Sequence, residues 1–84
     1  PFEASERYAS AYAVYRDTLP NSNAYRAQAL LEWNRARVAA GLPRASDQAE
    51  LGQALRVLKG SGPGFEREVA GWSLWIESLD SPSK

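Results

Sequence analysis

The chain has 84 residues, no Cys, no His, and ten acidic side chains balanced by ten basic ones for a formal net charge of zero. That length allows one small domain. The missing thiols and imidazoles exclude a disulfide framework, a thiolate metal site and the commonest general base. Three Trp, four Tyr and two Phe within a 44% hydrophobic composition are enough for a compact core. No apolar run approaches the roughly 20 residues that cross a bilayer. The start, Pro1-Phe2-Glu3-Ala4-Ser5, lacks the layout of a signal peptide. The expectation is a cytoplasmic domain of a larger protein, since the chain begins without Met.

The first predicted helix covers residues 5–18, with Ser5 as a possible N-cap. Tyr8, Ala11, Tyr12, Tyr15 and Leu19 recur at spacings of three and four, which places them on one face as core packing. Pro20-Asn21-Ser22-Asn23 breaks this helix, and Asn23 or Ser22 caps the next.

The second helix covers residues 24–40. Its stripe is Ala27, Leu30, Leu31, Asn34 and Val38, in which only Asn34 is polar, with Trp33 at the edge. Arg26, Arg35 and Arg37 point elsewhere and read as solvated, and Glu32 is spaced to pair with Arg35. Gly41 stands where a left-handed residue ends a helix, and Pro43 prevents continuation. Leu42 is placed to plug the corner.

The third helix covers residues 47–59. Asp47 and Glu50 are spaced as a capping box. Leu51, Ala54, Leu55 and Leu58 form its apolar stripe. Gly52 costs about 1 kcal/mol relative to Ala inside a helix, which implies close approach of another element there. The outward side carries Gln48, Gln53, Arg56 and Lys59, and Gly60 ends the helix.

Beyond Gly60-Ser61-Gly62-Pro63-Gly64 the pattern reads as a hairpin over residues 65–77. Phe65 to Val69 forms one strand and Ala70-Gly71 the turn. In the second strand Trp72, Leu74 and Ile76 alternate with Ser73, Trp75 and Glu77. Trp75 would then either face outward as an anchor or pack under the first helix or the tail. The fold class expected is mainly α with a small β-hairpin: a winged helix of three helices plus a C-terminal wing.

No constellation performs obvious chemistry. Glu66 and Glu68 read as a solvated pair. The Gly-rich turn lacks the Lys and Ser/Thr of a phosphate-binding loop. The chain is therefore expected to be no enzyme, with no cofactor, no metal and no small-molecule substrate. Its architecture points to duplex DNA. In helix-turn-helix geometry the later helix enters the major groove. There Gln can read adenine and Arg can read guanine, which singles out Gln48, Gln53 and Arg56. Arg44 and Lys59 would meet phosphates, and Arg67 would reach from the wing.

From Tyr25 to Leu79 the chain resembles the C-terminal winged-helix domain of phage, plasmid and poxvirus-type (superfamily 3) primase–helicases. The resemblance is carried by Ala29-Leu30-Leu31-Glu32-Trp33-Asn34-Arg35, by Gly41-Leu42, by Ser46 followed by Glu50-Leu51-Gly52-Gln53-Ala54-Leu55-Arg56, and by a wing ending in Trp72. It implies a non-catalytic origin-recognition role beside other domains of a replication protein, with Gln48, Gln53, Arg56 and Lys59 on the recognition helix. Glu66 and Glu68 depart from the basic wing such a domain would use. Net neutrality and these acids support a different class of function, a protein–protein interaction module docking a partner through its helical face or hairpin.

Overall fold

A computed structural model describes residues 2–80 as four α-helices: α1 (Phe2–Thr18), α2 (Ala24–Ala39), α3 (Gln48–Lys59) and α4 (Glu66–Asp80), with a single 3₁₀ turn, Pro63–Phe65, leading into the last. No strand occurs among the described residues. The local signals that bound the middle helices act as expected. Asn23 caps α2, its side chain accepting from the Tyr25 and Arg26 amides. Gly41 adopts a left-handed φ of 81°. Asp47 and Glu50 form the reciprocal capping box. Ser5, by contrast, lies inside α1 and is buried, because the helix starts before it.

The expected hairpin over residues 65–77, and with it the winged-helix fold class, is incorrect: Glu66–Asp80 is a helix. The reason is periodicity. Phe65, Val69, Trp72, Ile76 and Leu79 recur at four, three, four and three, and all of them belong to the core or pack against it. A helix therefore buries Trp72 and Ile76 together. The alternation of Trp72, Leu74 and Ile76 spans too few residues to outweigh this, and Leu74 is left 69% exposed. A two-stranded ribbon would be marginal in water. Glu66 and Glu68 sit in the first turn, where acidic side chains favour a helix by opposing its dipole. Gly71, read as a hairpin turn, lies mid-helix.

The core consists of Ala27, Leu30 and Leu31 from α2, Leu51, Ala54 and Leu58 from α3, and Trp72 and Ile76 from α4. Val38, expected in the α2 stripe, is exposed. Asn34 interrupts the stripe for a structural reason. It is fully buried. Its Nδ2 donates to the Leu30 carbonyl (2.9 Å) and to Ser46 Oγ (3.0 Å). Its Oδ1 accepts from the Ala45 and Ser46 amides (2.9 and 2.8 Å). One side chain thereby satisfies the corner between α2 and α3 and sets the direction in which α3 leaves it.

The helix α1 lies along α2 and contributes no residue to the buried apolar cluster. Tyr12 stacks on Trp33 at 5.4 Å between ring centroids. Tyr8 and Tyr15 stay more than a third exposed, so only part of the expected tyrosine face is covered. Among the described residues, no helix is long and apolar enough to cross a membrane.

Candidate nucleic-acid interface

Successive side chains at spacings of three and four share one side of a helix, and on α3 that rule gathers Gln48, Gly52, Arg56 and Lys59 on one outward flank. Arg44 joins them from the preceding turn. Its Nη1 donates to Gln48 Oε1 at 2.6 Å. Arg56 Nη2 donates to Gln53 Oε1 at 2.8 Å. Both guanidiniums are thus oriented by neutral amides. Arg44, Arg56 and Lys59 are exposed. Among the described residues the ion pair present is Arg16 with Asp17, on α1.

Gly52 does not mark a close helix contact. A Cβ placed there meets only the Arg56 side chain, at 3.9 Å. The gap in the flank lets the Arg56 side chain lie back over its own helix.

The six expected DNA-contacting residues divide three ways. Arg44, Gln48, Arg56 and Lys59 come together as described. Gln53 sits farther round α3, where it lines a groove between α3 and the α1–α2 pair. Arg67, placed in a wing on the sequence pattern, lies instead in the first turn of α4. Glu66, Val69 and Ala70 are the α4 residues beside Leu58 and Lys59, and Arg67 does not line that surface. The loss of the hairpin is the cause of that displacement.

The arginines of α2 are not idle solvated charges. Arg26 Nη1 donates to the Leu19 carbonyl (2.8 Å) and the Arg16 carbonyl (3.2 Å), which closes the C-terminal end of α1. Arg37 Nε donates to the Pro43 carbonyl at 2.7 Å and braces the turn after Gly41. The Arg35 guanidinium lies 4.2 Å from the Trp72 ring centroid, a cation–π contact across α2 and α4. It forms no ion pair with Glu32, contrary to what their spacing implied. Glu32 is held above its ordinary carboxyl range by burial, with the charge of Arg35 acting in the opposite direction. Trp72 also donates through Nε1 to Gln28 Oε1 at 3.3 Å. Trp75 meets Trp72 edge-on at 5.7 Å and is partly buried, so it is no protruding anchor. The roles of Arg26, Arg35 and Arg37 depend on what lies across from them, for which the local sequence carries no signal.

No group of acidic side chains among the described residues is arranged to hold a metal ion. Compared with known proteins, the chain matches no protein-family model, no curated protein and no solved structure.

Proposed function

We propose that this domain binds duplex DNA through the outer flank of α3, in a helix-turn-helix manner without a wing. The observation that carries the reading is the segregation of charge. Three arginines of α2 are engaged in internal contacts. Arg44, Arg56 and Lys59 remain exposed along one flank with no carboxylate bonded to them. Unneutralised cations at helical spacing suit a phosphate backbone, which supplies most of the affinity in such complexes. Gln48 lies between them, with an amide suited to a base edge. The domain would be non-catalytic and would work in the cytoplasm. The replication role implied by the primase–helicase resemblance leaned on a wing ending in Trp72; with that segment helical, the proposal rests on α3 alone.

A second reading has its own observation. Lys59 and Glu66 share a depression of about 220 Å³ with Val69 and Ala70, so opposite charges mix at that end of α3. Such a surface suits a protein partner as well as a nucleic acid.

The two readings separate on substitution. Arg56→Ala should weaken duplex binding by about 1–3 kcal/mol if the side chain reads a base, and Lys59→Gln by less. Arg67→Gln, away from the flank, should leave binding unchanged. Equal effects of Arg56→Ala and Arg67→Gln would remove the assignment to α3.

A further inference from the structure

The opposite flank of α3 carries a different site. A groove of about 340 Å³ runs between α3 and the α1–α2 pair, within the size range of small-molecule pockets. Ala27, Leu30, Ala54 and Val57 supply its aliphatic part, and Tyr12, Asn21 and Gln53 line it as well. Arg26 and Glu50 stand on its walls. Arg26 lies about two turns before the Asn34 corner and Glu50 about one turn past it, so the two charges stand at different levels along the groove. The Arg26 guanidinium is partly buried and fixed by two carbonyls, both of which it reaches through Nη1. Its other nitrogens have no bonded partner among the described residues. Glu50 is equally fixed, one carboxylate oxygen accepting from the Asp47 amide at 3.1 Å.

We infer that this groove is a binding site for a small zwitterion with an apolar middle, an ω-amino carboxylate. Its carboxylate would meet Arg26, its ammonium Glu50, and its methylene chain the aliphatic residues. A fixed cation and a fixed anion on the walls of one groove complement the two charges of such a ligand, and the aliphatic residues complement its chain. Both charged groups are held by the backbone before any ligand arrives, so little ordering is needed on binding. The site does not depend on the DNA reading, because Arg44 and Lys59 take no part in it.

The test is a set of titrations followed by backbone NMR shifts, with 6-aminohexanoate, hexanoate and hexylamine as probes. The zwitterion should bind roughly tenfold more tightly than either singly charged probe, with shifts at Ala27, Leu30, Ala54 and Val57. Glu50→Gln keeps an acceptor for the capping box, so the fold is retained. That variant should bind 6-aminohexanoate and hexanoate equally. Arg26→Gln, checked for helix content by circular dichroism, should equalise 6-aminohexanoate and hexylamine. Equal affinity of the three probes for the unmodified protein, or shifts scattered away from the groove, would overturn the inference. So would undiminished preference for the zwitterion in a folded Glu50→Gln variant.

Discussion

The corner between α2 and α3 and the docking of α1 on α2 hold the molecule by opposite means. At the corner one buried amide meets four partners, a capping box closes the next helix, and Leu31 and Leu51 are wholly out of water. Along α1 the contact is a Tyr12–Trp33 stack and a guanidinium capping the helix end, with Tyr8, Val14 and Tyr15 left substantially exposed. The corner orients α3, so it orients the proposed DNA flank. The docking of α1 shapes only the groove on α3's other side. Damage to the first should unfold the domain, whereas damage to the second should loosen one helix.

Asn34→Ala is the strongest way to break this contrast. It leaves the Ser46 and Ala45 amides and Ser46 Oγ without their partner, at about 1–3 kcal/mol for each buried group so orphaned. We expect a loss of about 3 kcal/mol or more in chemical denaturation, with all probes moving together. Tyr12→Ala comes next. It removes a stacked aromatic pair on a partly exposed helix, and should cost about 1–2 kcal/mol. Hydrogen exchange should rise in α1 before it rises in α2 and α3. If Tyr12→Ala instead destabilised the domain as much as Asn34→Ala, the two regions would be one cooperative unit.

The same contrast explains which parts of the fold were legible in the sequence. The limits of α2 and α3 are written in adjacent residues: Asn23, Gly41, the Asp47–Glu50 pair and Gly60. Capping is a local interaction, so local sequence carries it. The helix α4 was not legible in this way, because Ala70-Gly71 and the alternation of Trp72, Leu74 and Ile76 imitate a hairpin. The spacing of Val69, Trp72, Ile76 and Leu79 held the correct period, but choosing it requires the apolar wall of Leu51 and Leu58 to pack against. Asn34 looked like a flaw in a stripe because its partners lie on a segment eleven and twelve residues away. Of the site, the cations on α3 were readable from helical spacing. The diversion of Arg26, Arg35 and Arg37 into internal contacts was not, and neither was the departure of Arg67 from that surface.

Gly71→Ala sharpens the account from the stabilising side. Nothing lies within 4 Å of a Cβ at this position, and the residue is inside α4. Replacement should stabilise by about 0.5–1 kcal/mol, measured as a raised denaturation midpoint. In a hairpin turn with positive φ the same change would destabilise.

Glu32 supplies the smallest effect, and it depends on pH. Burial raises its carboxyl in the folded state, so the folded chain holds this proton more firmly than the unfolded chain. The charged form is therefore a penalty, fully present above the raised folded-state value and gone below the ordinary carboxyl range. Glu32→Gln should be the more stable protein at neutral pH. Its advantage should vanish as the solution is acidified through the carboxyl range.

The central claim, that the outer flank of α3 docks on a phosphate backbone, is tested most directly by duplex affinity as a function of salt. Contacts from Arg44, Arg56 and Lys59 predict a log–log slope of roughly −2 to −3, falling by about one when Lys59 is replaced by Gln. A slope near zero, or no binding at low salt, would contradict the claim.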